Sequence, residues 1–305
     1  MSELIITRGY PASGKTTWAY QQAELYKDSG LVKAPSRDDL RMSLFRKEYC
    51  NDSEEKIVTS VQKAAVRRLL DDGKHVIVDD TNLNKATARS FANLAEDYGI
   101  GFHCADFPVD PEECKRRNQA RKAAGGRFVP PEVIDRMARK NPIKDWKPVE
   151  PAYKLDIVPY VPPEGIAVES AYIWDIDGTV AHTTGRSPYD YTRVGEDAAD
   201  REVQELFWTI RAANPYARMI FVSGRKDDCR GVTEQWLKAN GFEYDWLYMR
   251  RTGDDRNDAV VKLDIFNEHI RNGYDVLGVF DDRNRVVNMW RRLGLKCFQV
   301  NYGDF

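Results

Sequence analysis

Cysteine and histidine are scarce in this 305-residue chain, five and four respectively, and neither occurs at a spacing that suits a metal ion. Cys50, Cys104, Cys114, Cys229 and Cys297 are odd in number, scattered and without a C-x-x-C pair. That argues against a disulfide framework and a structural zinc site and suits a reducing cytoplasm. His75, His103, His182 and His269 receive no role. No apolar run approaches the about 18 residues of a membrane span, and the N-terminus enters a strand-like run rather than a cleavable signal, so no membrane partner is expected. A charge excess is missing too: 46 Lys and Arg stand against 48 Asp and Glu, for a net charge of -2, which argues against wholesale coating of nucleic acid. One local imbalance remains. Lys115, Arg116, Arg117, Arg121, Lys122 and Arg127 follow one another with no acid between them, so any polyanion contact is expected to be focused there.

What is present describes an ordinary globular chain, 42% hydrophobic and 31% charged, long enough for two domains. Its organising stretch is 3–17, where a short apolar run feeds into Gly9-Tyr10-Pro11-Ala12-Ser13-Gly14-Lys15-Thr16-Thr17. This is the G-x-x-x-x-G-K-T pattern of a P-loop. Its glycines admit backbone conformations that turn successive N–H groups onto phosphate oxygens at a helix N-terminus. Lys15 then reaches the outer phosphates and Thr16 a Mg²⁺ ion, so Gly9, Ser13, Gly14, Lys15, Thr16 and Thr17 form a candidate ATP cradle.

A short strand at 30–34 opens onto Ser36-Arg37-Asp38-Asp39-Leu40-Arg41, either a reaction-site cluster at a strand's carboxyl end or a helix start capped by Ser36. Residues 54–72 have helical periodicity that puts Ile57, Val61, Ala64, Ala65 and Leu69 on one apolar side, the expected core face. The strand 75–78 ends in Asp79-Asp80-Thr81-Asn82, where P-loop proteins commonly place an acid that orients Mg²⁺ or the attacking group; a turn is the alternative. A helix over 85–98, a strand over 101–107 and a helix over 111–123 complete a parallel three-layer α/β domain. Arg117 and Arg121, four apart, share a helical face and on a lid would neutralise charge that grows during phosphoryl transfer; a solvated surface is the alternative. A short helix runs to 140, and the proline-rich stretch that follows marks a boundary: 1–145 as first domain, 146–168 as linker, 169–305 as second.

The second domain opens with a buried strand ending in Asp175-Ile176-Asp177-Gly178-Thr179, a D-x-D-G-T pattern resembling the haloacid-dehalogenase phosphohydrolases. Asp175 at the strand tip can attack phosphorus, and Asp177 can shuttle the proton to leaving group and water. The strand 219–222 delivers Ser223-Gly224-Arg225, a helix after Asn257-Asp258 carries Lys262, and the strand 276–280 delivers Asp281-Asp282, able with Asp175 to make an oxygen site for Mg²⁺. The fold class expected is therefore α/β throughout, two parallel-sheet domains.

Taken together, these motifs resemble the bacteriophage polynucleotide kinase/phosphatase family along nearly the full length: G-x-P-x-S-G-K-T at 9–16, R-D-D-x-R at 37–41, D-T-N-L-N at 80–84, K-R-x-N at 115–118, D-I-D-G-T at 175–179, G-R-x-P-Y-D at 185–190, V-S-G-R at 222–225, D-D-R-x-x-V-V-x-M-W-R-R at 281–292 and a closing G-D-F at 303–305. The resemblance implies transfer of the ATP γ-phosphate to 5′-hydroxyl ends of DNA or RNA, and removal of 3′-phosphates and 2′,3′-cyclic phosphates. It further implies Asp38 as the base, Arg41 on the terminal phosphodiester, Asp80 with Thr81 beside the acceptor, and Arg117 and Arg121 as lid contacts. In the second half it implies Asp175 as nucleophile, Asp177 as acid/base, and a metal set of Asp175, Asp177 and Asp282. Arg186, Ser223, Gly224, Arg225, Arg250, Asp258 and Lys262 are implied as supporting residues. A homotetramer, coupling to a nucleic-acid ligase and residence in the cytoplasm follow from the same likeness. The chain departs from the family around 122–128, where the lid is longer and carries Gly125-Gly126. Two alternatives stay open: a small-molecule kinase fused to a metabolite phosphatase, and an end-binding protein without activity. Tyr189, Tyr191 and Trp290 are candidates for stacking on bases, with a place in the core as the commoner fate.

Overall fold

Short, nearly continuous apolar runs explain both sheets in the computed structural model, which describes residues 2–164, 168–187 and 190–303. The chain divides into two compact units, 1–152 and 153–305. In the first, β1 (Glu3–Gly9), α1 (Lys15–Leu25), β2 (Leu31–Lys33), α2 (Arg37–Phe45), α3 (Asp52–Asp71), β3 (His75–Val78), α4 (Lys85–Tyr98), β4 (Gly101–Phe107), α5 (Pro111–Ala123) and α6 (Pro131–Lys140) follow in order. The strands form one parallel sheet in the order β2-β3-β1-β4. Leu4, Ile6, Val76 and Val78 face Val66, Leu70, Phe91 and Ala95 of α3 and α4, while Ile5 and Ile77 face Trp18 and Ala19 of α1. A sheet buried on both faces needs helices on both, which is the three-layer arrangement.

The second unit contains β5 (Glu169–Trp174), β6 (Ala181–His182), β7 (Ala198–Ala199), α7 (Arg201–Ala213), β8 (Arg218–Lys226), α8 (Arg230–Ala239), β9 (Trp246–Arg250), α9 (Asp258–Ile265), β10 (Tyr274–Arg283), α10 (Asn284–Arg292) and β11 (Cys297–Gly303). Five strands make a parallel sheet in the order β11-β10-β5-β8-β9, and β6 and β7 pair in a small antiparallel excursion after the D-x-D-G-T turn. Ile173, Ile220 and Val279 pack against α9 and α10, and Trp174, Phe221 and Phe280 pack on the opposite face with Phe207 and Trp236. In both units the carboxyl ends of the strands gather along one edge, so residues immediately after each strand become neighbours.

Two expectations change. The core face of α3 is Val58, Gln62, Val66 and Leu70, and Ile57 is 48% exposed. A polar residue inside the buried stripe hid the true face, and Gln62 is there because its amide donates to Asp80 Oδ2 (2.6 Å) and to the Pro35 carbonyl (3.1 Å). The stretch expected as a linker is largely packed. Trp146 meets Tyr10 edge-on, Ala152 N donates to Asn93 Oδ1, and Leu155 and Tyr160 belong to the second unit, Tyr160 Oη donating to the Tyr274 carbonyl (2.6 Å). The division falls at 152/153. Among the described residues no helix is long and apolar enough to cross a membrane, and all five cysteines are free thiols.

Candidate active sites

The P-loop turns where the sequence allows it to turn. Ala12 (φ 64°) and Gly14 (φ 102°) take left-handed conformations, and a Cβ on Gly9 would press on Ser13 Oγ and Phe107. Buried Tyr10 roots the loop in a small apolar cluster with Cys114, Val129 and Ile134, and Gly9 N donates to the Thr81 carbonyl. Lys15 folds back under the loop, its Nζ donating to the Tyr10 carbonyl (2.7 Å) and Ser13 Oγ (3.3 Å). Burial lowers its pKa to about 8, against the pull of Asp79 and Asp80. Thr16 and Thr17 lie exposed in the first turn of α1.

Two cavities meet at this loop. One, about 440 Å³, is lined by Gly14, Lys15, Thr16, Thr17, Arg117 and Arg121; the other, about 410 Å³, includes Asp38, Arg41, Asp79, Asp80 and Thr81. Ala12 lines both, as do three residues with polar side chains, Lys15, Thr16 and Arg121. A donor on one side and an acceptor on the other would therefore share these three residues. Arg121 makes no ion pair among the described residues: its Nη2 donates to Asn118 Oδ1 (3.0 Å), its buried Nε has no partner, and burial lowers its pKa. Asn118, wholly buried, also accepts from Val129 N and donates to Val129 O, which ties the segment after α5 back onto the helix. A buried cation and an orphaned donor beside a glycine loop fit a polyphosphate.

The rest of the basic run is internally balanced. Arg117 pairs with Glu113 (2.6 Å), Arg116 with Glu113, Lys115 with Glu112 and Asp135, and Arg127 with Asp38. The expectation that the whole run focuses a polyanion contact is thus corrected, because acids from neighbouring turns neutralise most of it. On the acceptor side Ser36 does cap α2, in a reciprocal capping box with Asp39, and Asp38 projects free of the cap to Arg41 (2.6 Å) and Arg127. Arg41 is shared with Glu55 (2.5 Å), which also holds Arg37. Asp80 accepts from Gln62 and from Arg37 N, and burial pushes its carboxyl up to about 6. Asp79, buried and within reach of Thr7 Oγ1 (3.4 Å), also lines the second cavity. Glu55, which lines this cavity, and Gln62, which holds Asp80, are residues of the site that motif reading did not single out.

In the second unit Asp175 closes β5, its N donating to the Phe280 carbonyl across to β10. Lys262 of α9 donates to Asp175 Oδ1 (2.8 Å) and Asp281 Oδ2 (2.8 Å), and Trp290 Nε1 donates to the same Asp281 oxygen (3.2 Å). Burial works against the Lys262 charge, yet the carboxylates of Asp175 and Asp281 outweigh it and raise its pKa. Burial pushes Asp175 up to about 8 against Lys262, and burial with the Asp281 charge pushes Asp282 up to about 7. One oxygen from each of Asp175, Asp281 and Asp282 lies within 4.8 Å of the others. Three crowded, desolvated carboxylates with one lysine fit a hard divalent cation. Gly178 (φ 83°) is required beside them, since a Cβ there would collide with the Asp282 carboxylate.

The metal set implied by resemblance needs one correction. The Asp177 carboxylate is not in this group. Its oxygens accept from Arg225 Nε and Nη2 (2.8 Å each) and Arg186 Nη2 (3.2 Å), so Asp281 stands where Asp177 was expected. Arg186 and Arg225 also converge on buried Asp197 at 2.5 and 2.8 Å, an acid that no motif flagged. Arg250 is held by the Gly224, Asp254 and Arg256 carbonyls and by Asp258, which also meets Arg283. Ser223 is fully buried and accepts from Arg225 N. Trp290, a candidate for stacking, is core; Tyr191 is half-buried against Trp174's cluster, and Tyr189, Asp304 and Phe305 lie outside the described residues. A cavity of about 830 Å³ opens above Asp175, Asp177 and Asp282.

Comparison with known proteins matches the same two stretches. Residues 169–305 fit the family described as the polynucleotide kinase PNKP phosphatase domain, and residues 4–141 fit an AAA domain. The "Putative bifunctional polynucleotide kinase/RNA ligase" of Autographa californica nuclear polyhedrosis virus is 29% identical over 307 residues, covering 95% of this chain and 41% of that protein. The chain thus spans about two-fifths of the length of that curated relative. Two solved structures of the Pnkp1/Rnl/Hen1 RNA repair complex contain chains 32% and 30% identical to this one, matched over its full length and over 97% and 98% of theirs, with TM-scores of 0.46 and 0.47. With a P-loop unit that fits an AAA domain followed by a unit that fits the PNKP phosphatase domain, the chain belongs to the bifunctional polynucleotide kinase/phosphatase family.

Proposed function

We propose that this chain mends polynucleotide ends, moving the γ-phosphate of ATP to a 5′-hydroxyl and clearing phosphate from the 3′ side, 2′,3′-cyclic forms included. The observation that carries the reading is the meeting of two cavities at Lys15 and Arg121, two cations without a carboxylate partner among the described residues, with Asp38 on one side only. ATP would sit on Gly9, Ser13, Gly14, Lys15, Thr16 and Thr17, with Arg117 and Arg121 over it. Asp38 takes the proton of the 5′-hydroxyl, Arg41 exchanges one carboxylate for the terminal phosphodiester, and Asp80 and Thr81 border the acceptor. Asp38 is 44% exposed at its side chain and paired on both oxygens, so acceptor binding must displace Arg127 or Arg41 before the acid can work as a base.

In the second unit Asp175 attacks phosphorus, forming its acyl phosphate as the ester oxygen leaves with a proton from Asp177; Asp177 then takes a proton from the water that hydrolyses the acyl phosphate. Lys262 fixes the nucleophile's rotamer through Oδ1. Asp175 and Asp282, with Asp281 behind them, are the residues that would hold Mg²⁺, which when bound supplies charge to offset the phosphate oxygens. Arg186, Arg225, Arg250, Ser223, Gly224 and Asp258 support that site. Ligatable ends imply a ligase acting next, and we place the chain in the cytoplasm, host cytoplasm if a bacteriophage encodes it, as a homo-oligomer. The test is one incubation with labelled ATP and an oligonucleotide bearing a 5′-hydroxyl and a 3′-phosphate. Label at the 5′ end and loss of the 3′-phosphate are expected; transfer only to a small alcohol would overturn the reading.

A further inference from the structure

The last strand is bent over the phosphatase site. β11 runs in register with β10 through Val279 with Cys297, Phe280 with Phe298 and Asp281 with Gln299, and then jumps to Arg283 with Gly303. One residue of β10 lies between the last two pairs, against three of β11, so residues 300–302 form a bulge with two extra residues. Bulges next to active sites re-aim a side chain, and this one does so with both its ends fastened. Gln299 Nε2 donates to the Asp282 carbonyl (2.8 Å), and Asn301 Nδ2 donates to the Gly178 carbonyl (2.9 Å) of the D-x-D-G-T turn. At Gly303 a Cβ would lie 2.8 Å from the Asp282 carbonyl oxygen, so the chain approaches there as only glycine can.

The residue presented by the bulge is Tyr302. It is 71% exposed and lines the same cavity as Asp175, Asp177 and Asp282. Among the described residues its ring meets no other ring, and its hydroxyl makes no hydrogen bond, which is not how a core tyrosine sits. Among the described residues the other rings lining this cavity are Tyr191, partly buried against the core, and His182, paired with Asp200. The cavity, about 830 Å³, has room for a whole nucleoside phosphate beside the nucleophile, within the usual range for small-ligand sites.

We propose that Tyr302 is the platform on which the base of the 3′-terminal nucleotide stacks while its phosphate lies at Asp175, a specificity residue for the phosphatase half. This rests on the end-repair reading above and names what that site recognises besides phosphate. Stacking accepts any base, because every base has a π-face, so the platform selects nucleotides over simple phosphate esters without selecting a sequence.

The test compares kcat/KM for two oligonucleotides with a 3′-phosphate, one ending in an ordinary nucleotide and one in an abasic residue, using the full chain, Tyr302→Ala and Tyr302→Phe. The wild type and Tyr302→Phe should prefer the base-bearing end by about tenfold or more, and Tyr302→Ala should bring the ratio close to one. A variant merely damaged in its fold would slow both substrates and keep the ratio. An unchanged ratio in Tyr302→Ala, or a wild type indifferent to the missing base, overturns the proposal. If the wild type hydrolyses p-nitrophenyl phosphate and neither oligonucleotide, the end-repair reading itself falls and this one with it.

Discussion

The two sites handle charge in opposite ways. Around the P-loop, Lys15 and Arg121 are cations with no carboxylate partner among the described residues, and burial lowers the pKa of both. In the phosphatase unit the cations are matched before any substrate arrives: Lys262 to Asp175 and Asp281, Arg225 and Arg186 to Asp177 and Asp197, Arg250 to Asp258. The first site thus leaves two cations to be balanced by a polyanion while its Arg37, Arg41 and Arg127 are already paired, and the second is balanced by its own fold. Such a difference suits a transferase that must close around two substrates and a hydrolase that needs one carboxylate held in place.

The widest gap should open when one arginine is removed from each unit. Arg121→Ala should lower 5′-end phosphorylation by about 10³- to 10⁵-fold while leaving resistance to denaturant unchanged or slightly higher, since a half-buried cation without a carboxylate partner is lost. Arg225→Ala should instead destabilise the second unit by about 3 to 5 kcal/mol, because Asp177 and Asp197 lose a shared buried partner. Activity and urea unfolding measured on both variants break the comparison if Arg121→Ala is the one that unfolds.

Smaller effects sharpen it through pH. The Asp80 carboxyl is raised from 3.8 to about 6, so the folded chain holds this proton more tightly than the unfolded chain. The stability that Asp80 contributes is then full below about pH 4 and is lost as pH rises through 6. The wild type's advantage over Asp80→Asn should shrink across that window by at most about 3 kcal/mol, read from unfolding curves at each pH. A constant difference would contradict the assignment. For Lys15, lowered to about 8, bound polyphosphate restores the proton. ATP affinity should accordingly weaken above about pH 8, by up to roughly tenfold per pH unit, and Lys15→Arg should flatten that slope. Equilibrium binding with a nonhydrolysable nucleotide measures it.

What could be read from the sequence divides along the same physical line. Gly9 to Thr16 and Asp175 to Thr179 were legible because a phosphate cradle and a nucleophile turn are built from consecutive residues under tight backbone constraint. The sheets were legible because short apolar runs of strand length are local. Asp197 was not: its partners Arg186 and Arg225 lie 11 and 28 residues away, and a buried acid looks like a solvated one until the fold joins them. Glu55 escaped for the same reason, being 14 and 18 residues from Arg41 and Arg37. Gln62 actively misled, since a polar residue in the buried stripe of α3 shifted the apparent core face by one position. The basic run around Arg121 read as one surface because the acids that neutralise it come from other turns and elements.

The central claim, two separate phosphoryl sites on one chain, is tested most directly by following both ends of one oligonucleotide with Asp175→Asn and Lys15→Met. Asp175→Asn should cut 3′-phosphate release by about 10³-fold or more with 5′ labelling kept, and Lys15→Met should do the reverse. Either substitution silencing both reactions would contradict it.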